Sequence, residues 1–325
     1  MEKQKTRLPE FDILKGIGII LVLLGHLPIS SEMHMVIYSF HMPLFFFCSG
    51  VFFHKRAVKE SMIKDVKSIL IPYAFFAVIL IVTLFLVSLF HTYSISVALS
   101  QIKIVPFDRQ CYSLYHTIWF FVCIYFVKEI FNVFYKSPMQ GLIIGGVIYI
   151  VSLVLQQYKI HLPFFIDSSL GMISFYSIGF YLHHFFVLKQ MTVTNKITIG
   201  ALLLFVCYVC VIILVKPYIN VRDNEYPCFL VISALIPILS LYILSKKISE
   251  SCSIFTGIIK ICGVNSLFLF ALHGPIYEIL FPIVNKVGLG NLSIIFVMLV
   301  ITIPTCLMAA KLLLKYTPFL VGNLK

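Results

Sequence analysis

The sequence predicts an all-α polytopic membrane protein of about ten transmembrane helices, both termini cytoplasmic, with residues 1–325 forming a single membrane-embedded domain. Three observations carry this expectation. Of the 325 residues, 60% are hydrophobic and only 12% charged, whereas about a quarter of a soluble domain is charged. Apolar runs long enough to cross roughly 30 Å of hydrocarbon recur along the chain. The basic residues behind the net charge of +12 gather in alternate connections, as cytoplasmic loops do, and no nucleic-acid partner is needed to explain them.

In chain order the spans fall near residues 11–29, 34–53, 69–90, 117–134, 141–156, 164–186, 197–215, 228–244, 264–282 and 292–314. The first carries Asp12 and Lys15 and is followed by no small-residue cleavage site, so it is expected to stay as a helix and not to be removed as a signal peptide. The second, with two histidines, and the fifth, which is short, are open to a partly re-entrant course. Lys3, Lys5, Arg7, the cluster Lys55, Arg56, Lys59, Lys64 and Lys67, and then Lys128, Lys136, Lys189, Lys196, Lys246, Lys247, Lys260, Lys311, Lys315 and Lys325 share the side of the termini. Only Lys103, Arg109, Lys159, Lys216, Arg222 and Lys286 fall opposite. The positive-inside rule makes the first side cytoplasmic. The longest polar stretches are the loops near 91–116 and 216–227, which leaves no room for a soluble domain.

Nine cysteines suggest a disulfide or metal framework only until they are placed. Most lie in or beside apolar runs as packing residues, and the CxxC pair Cys207 and Cys210 sits mid-helix with no partner pair, so no metal is expected.

The informative residues are ionisable groups inside spans. A charge at bilayer depth costs about 2.5 kcal/mol or more on the lenient insertion scale, so it faces protein or a wet cavity. In "FDILKGIGIILVLLGH", Lys15 and His26 are eleven residues apart; a helix returns to within about 20° of the same face over that spacing and rises about 16 Å. Asp12 is placed to pair with Lys15, and Gly16, Gly18 and Gly25 allow close approach along this stripe. Snorkelling to the headgroups explains Lys15 equally well but leaves His26 unexplained. "YSFHMPLFFFCSG" puts His41 beside Pro43, whose missing N–H kinks the span and frees the Ser39 carbonyl; His26 and His41 are expected to face each other at similar depth. "NSLFLFALHGPIYE" puts Ser266 and His273 on one face with Tyr277 a turn beyond. Three histidines at one depth, two beside proline or glycine, point to a site.

Other polar residues have plainer readings. His183 and His184 sit where headgroups begin, Asp167 with Ser168 and Ser169 is placed to cap a helix start, and Trp119 suits an interfacial belt. The basic loop 54–67 serves topology and anionic lipid as readily as a phosphate ligand.

At these residues the sequence resembles integral-membrane acyltransferase family three, in the branch labelled fucose 4-O-acetylase-like. Lys15 followed by His26 is similar to the family's opening motif, "FHMPLFFFCSGVFF" with His41 and Ser49-Gly50 to its second-helix motif, "IWFF" to its tryptophan motif, "FFIDSSLGMISFYSIGFYL" to its sixth-helix region, and "NSLFLFALH" to its late helix. The matched motifs run in order from residue 7 to residue 275. Many members carry arginine where this chain has Lys15, which keeps the charge and loses the bidentate fork. The resemblance implies O-acetylation: an acetyl group passes from cytoplasmic acetyl-CoA to a hydroxyl of a cell-envelope polysaccharide or its lipid-linked precursor, in the cell membrane.

On that reading His26 is the general base or an acyl-carrying relay, because histidine is the side chain poised to take a proton near neutral pH, and His41 orients it or binds the acceptor. Lys15, Lys55 and Arg56 are expected to bind the phosphates of the acyl-CoA. Trp119, Asp167, Asn265 and His273 are expected to line the acceptor side, Trp119 by stacking on a sugar ring. The expected partners are acyl-CoA, the glycan or lipid-linked sugar acceptor and membrane lipids, with a homo-oligomer left open. A competing class, a lipid-linked sugar transporter or proton-coupled exporter, suits the same midplane histidines.

Overall fold

The computed structural model describes residues 8–92, 112–184, 192–251 and 253–322. It is all helix apart from one isolated antiparallel bridge between Asn220 and Glu225 among the described residues. The topogenic residues Lys3, Lys5, Arg7, Lys103, Arg109, Lys189 and Lys325 lie outside the described residues.

The first helix, α1 (Pro9–Gly25), starts on a proline at its first position, where the missing N–H removes no helical bond. The second predicted span is not one kinked helix. It is two, α2 (Ser31–Tyr38) and α3 (His41–Val51), separated at Ser39 and Phe40, with Phe40 at φ −147° and ψ −17°. Pro43 is the third residue of α3, where no intrahelical partner exists for an N–H in any case. The proline therefore marks a helix start, and the polar break lies before it. Ser39 secures that break: its hydroxyl donates to the Val36 carbonyl at 2.6 Å and accepts from the Tyr208 hydroxyl at 2.6 Å.

The basic loop of the sequence reading is also partly helical. α4 (Val58–Asp65) runs through a turn of π-helix (Val66–Leu70) into α5 (Ile71–Thr92). There follow α6 (Tyr112–Phe134), α7 (Pro138–Gln157), α8 (Ile166–His184), α9 (Asn195–Val215) and α10 (Leu230–Ser249). A short apolar helix that the sequence reading placed in no span, α11 (Ile254–Val264), precedes α12 (Ser266–Asn285) and α13 (Asn291–Tyr316). Side-chain caps start several of these: Ser30 for α2, Ser137 for α7, Thr194 for α9 and Ser253 for α11.

Seven stretches are long and apolar enough to cross a membrane, counting α2 with α3 and α4 with α5 as single stretches. The protein is a polytopic integral membrane protein. The predicted spans outside these seven are α1, which has 17 residues and carries Glu10, Asp12 and Lys15, and α6 and α8; of these, α1 and α8 are set among other helices. α8 packs against α3, α6 and α7, and α1 against α3, α10, α11 and α12, so their neighbours are largely protein. They can then keep polar residues that lipid would not tolerate. The outer helices show the reverse: only 17% of the α7 and α9 spans and 22% of the α13 span is buried.

Close backbone approach holds the inner group. A methyl group added at Gly50 of α3 would meet the Tyr176 carbonyl of α8, and one at Gly179 of α8 would meet the Phe47 carbonyl of α3. Two glycines thus face the opposite backbone at one crossing, the arrangement by which small residues let membrane helices touch.

Candidate active site

Two cavities are cut into the inner helices, one at each end of the face of α1 that carries Lys15 and His26. The first, about 360 Å³, has cationic groups from three elements, Lys15 of α1, Arg56 of the α3–α4 connection and Lys128 of α6, and is also lined by His54 of that connection. Lys15 pairs with Asp12 at 3.1 Å, as the sequence spacing predicts, and its ammonium lies 5.9 Å from the centre of the Phe52 ring. Lys128 pairs with the buried Asp65 at 2.6 Å, and Ser61 donates to Glu129 at 2.9 Å. The connection that carries Arg56 is fixed by Asn132, which is 1% exposed. Its side-chain oxygen accepts from the Arg56 N–H at 3.1 Å and its side-chain amide donates to the Arg56 carbonyl at 3.2 Å.

The second cavity, about 270 Å³, is lined by His26 at the end of α1, His34 and Tyr38 of α2, His41 of α3, Trp119 of α6 and Arg222. His26 and His41 share it. The ring packed on His26 is that of His273, edge-on with centroids 4.9 Å apart, whereas His41 lies 4.9 Å from Tyr38. Tyr38 in turn stacks on His34 at 3.8 Å. α12 is fastened to α1 beside the histidine pair, where the Tyr277 hydroxyl donates to the Leu23 carbonyl at 3.1 Å.

One local geometry recurs in all three membrane histidines. The Nδ1 of His26 is 2.9 Å from the Val22 carbonyl, that of His41 is 2.7 Å from the Ile37 carbonyl, and that of His273 is 3.0 Å from the Leu269 carbonyl. A carbonyl only accepts, so each neutral ring carries its hydrogen on Nδ1 and keeps Nε2 as the basic nitrogen. Each histidine ring is thereby oriented by its own backbone four residues back. For His41 the same bond spans the break between α2 and α3 and fixes the junction.

The sequence-predicted residues divide into groups. His26, His41 and Trp119 meet in one cavity, with His273 buried against His26. Trp119 is 6% exposed, packed against Phe120 and Phe165 as part of the cavity wall. Lys15 and Arg56 meet in the other cavity, while Lys55 turns its ammonium to the Asn132 carbonyl and lines neither. Asp167 is buried at the start of α8, 3.4 Å from His161. Asn265, expected on the acceptor side, folds back on the Ile261 carbonyl at 2.9 Å between α11 and α12 and lines neither cavity, while its neighbour Ser266 lines the basic one. Among the described residues no group of three or more His, Cys, Asp or Glu is arranged to hold a metal ion.

The sequence reading missed the loop between α9 and α10. Asn220 to Arg222 lines the histidine cavity, with Arg222 held by Asp223 through Nη2 at 2.7 Å and Nε at 3.1 Å. The loop is pinned from below by α7 and α8: Ser152 donates to the Asn224 side chain at 2.8 Å, Gln156 to the Tyr226 carbonyl at 2.6 Å, and Ser168 to the Arg222 carbonyl at 2.6 Å. The signal present in the sequence was the polar run "NVRDNEY", too ordinary for a loop to stand out.

The model of a family described as an acyltransferase domain, that of acyltransferase family three, matches residues 8–311, nearly the whole chain. No curated protein and no solved structure matches. The chain belongs to that family and is a membrane-bound acyltransferase, which implies an acyl donor and an acceptor.

Proposed function

We propose that this member of acyltransferase family three moves an acetyl group from cytoplasmic acetyl-CoA to a hydroxyl of a cell-surface glycan or its lipid-linked precursor, with His26 as the general base. The observation that carries the reading is the bond from His26 Nδ1 to the Val22 carbonyl, in a cavity whose far wall leads to a cluster of cations. A base needs its basic nitrogen at a defined atom, and a CoA ester needs cations for its phosphates.

The donor's phosphates bind Lys15 and Arg56, joined by Lys128 and His54, while Lys55 is turned away to the Asn132 carbonyl. The positive-inside bias makes this the cytoplasmic cavity. The acceptor occupies the histidine cavity, where Trp119 and Tyr38 offer aromatic faces to a sugar ring and Asn220 and Arg222 offer polar groups. His26 Nε2 takes the proton of the acceptor hydroxyl as its oxygen bonds to the thioester carbonyl carbon. The carbon–sulfur bond then breaks, the acetyl group stays on the acceptor oxygen, and His26 returns the proton to the departing CoA sulfur. A two-step course, with the acetyl group resting on His26, uses the same atoms. His41 orients the acceptor, and His273 holds the His26 ring.

Membranes carrying the protein, supplied with radiolabelled acetyl-CoA and extracted envelope glycans, test this directly. Label should enter the glycan and fall to background with His26→Ala. Incorporation that is unaffected by the substitution removes His26 from the mechanism, and no incorporation with the unsubstituted protein removes the acetyl-transfer reading.

A further inference from the structure

The donor cations and the histidines lie in different cavities, and a wall of phenylalanines stands between them. Phe270 of α12 lines both cavities. Its ring is 5.3 Å from Phe120 of α6, which is 6.0 Å from Phe45 of α3, and Phe45 and Phe120 line the basic cavity. Immediately beside them the same helices turn to the other side: Met42 of α3 and Trp119 of α6 line the histidine cavity. The two cavities therefore meet across three aromatic rings, from three helices, with no charged side chain among them.

We propose that this phenylalanine wall is the aperture through which the thioester end of the donor reaches His26, and that Phe270 restricts the acyl group to a few carbons. The inference rests on the acyl-transfer reading above and adds the residue that selects the acyl chain. Lys15 and His26 are separated by about 16 Å of helix, a span of the order of an extended phosphopantetheine arm, so phosphates held at one end put the thioester near the wall. The arm is slender and largely apolar, and a wall of apolar rings admits it without desolvating a charge. The same rings keep bulk water from the thioester when no acceptor is present. Widening by helix movement is opposed where α3 and α8 touch through Gly50 and Gly179, which leaves rotation of the rings themselves as the way through. A short acyl group passes with the arm, and a longer one meets Phe270.

The test is a chain-length series on the purified full-length protein, using acetyl-, propionyl-, butyryl- and hexanoyl-CoA with one acceptor preparation and kcat/KM as the readout. A hydrophobic pocket discriminates by about 10–200-fold per methylene group. The unsubstituted protein should therefore lose at least tenfold from acetyl to butyryl, and Phe270→Ala should flatten or invert that ratio and raise acceptor-free hydrolysis. Phe270→Leu, a milder change that keeps the core filled, should shift the ratio in the same direction. Phe121→Ala is the control: Phe121 is buried 6.0 Å from Phe270 and lines neither cavity, so it should lower stability and leave the ratio unchanged. An unchanged ratio in active Phe270 variants, or an equal shift in Phe121→Ala, overturns the aperture while acyl transfer stands. No transfer from any donor by the unsubstituted protein overturns both.

Discussion

His26 and His273 meet edge to face, ring centroids 4.9 Å apart, although one ends the first helix and the other sits in the middle of α12. Each Nδ1 is bonded to the carbonyl four residues back, so neither ring turns without breaking its own backbone bond. His273 is fully buried and His26 half-buried. On the proposed mechanism the pair divides the work into one ring that meets substrate and one that holds it in place.

That division predicts a graded response. His26→Ala should lower kcat by about 10²–10⁴, the usual worth of a general base. His273→Phe keeps the edge-on packing and loses the Nδ1 bond, so it should reduce kcat far less, by roughly tenfold, with donor and acceptor KM unchanged. Steady-state rates for both variants in the same membranes check this. Equal loss in the two would make His273 a participant in proton transfer.

The His26 stripe was legible because a helix period is local: residues 15 and 26 share a face whatever surrounds them. The Asp12–Lys15 pair was legible for the same reason. The loop with Arg222 was not, since what holds it is Ser152, Gln156 and Ser168, in helices far back along the chain. Spacing within one segment carries no trace of such contacts. The break before His41 was misread because Pro43 was the visible breaker, while the real one is the backbone at Phe40. Lys128 and Asp65 went unremarked as a pair because they lie on different helices.

That pair gives a prediction on stability. The Asp65 side chain is 2% exposed and its partner Lys128 26% exposed. Lys128→Met leaves a buried carboxylate without its cation, a loss of about 3 kcal/mol for broken buried pairs. Removing both charges, as Lys128→Met with Asp65→Asn, should recover most of that stability. Thermal unfolding of the detergent-solubilised single and double variants measures the coupling. Additive losses would mean that the pair contributes nothing as a pair.

The glycine crossing gives a second. Gly50→Ala drives a methyl group into the Tyr176 backbone carbonyl, and only movement of α3 against α8 relieves it. Overpacking of this kind costs about 1–3 kcal/mol, and a shift of α3 also displaces His41 and the cations of the connection after it. Gly146 in α7 has nothing within 4 Å of an added methyl group, so Gly146→Ala should be neutral or stabilising by up to about 1 kcal/mol. Comparable melting temperatures for the two variants would contradict the close contact.

On the proposed reading, the loop over the histidine cavity touches the acceptor side and not the donor side. Asn224 has φ 57°, in the left-handed region, and its side chain accepts from the Ser152 hydroxyl at 2.8 Å and donates to the Ser152 carbonyl at 3.2 Å. Asn224→Gly keeps the backbone free to hold that conformation and removes both bonds, so the loop should loosen without strain. Asn220 and Arg222 line the histidine cavity and not the basic one. The acceptor KM should accordingly rise by roughly tenfold, a change of about 1.4 kcal/mol, while the donor KM stays as it was. Asn224→Ala loses the same bonds and adds about 1–2 kcal/mol of left-handed strain, so it should show the same KM pattern with a lower melting temperature. Initial rates taken against each substrate in turn, for both variants, give the answer. A donor KM that rises in step with the acceptor KM would show that the loop supports the whole bundle and not the acceptor side of it.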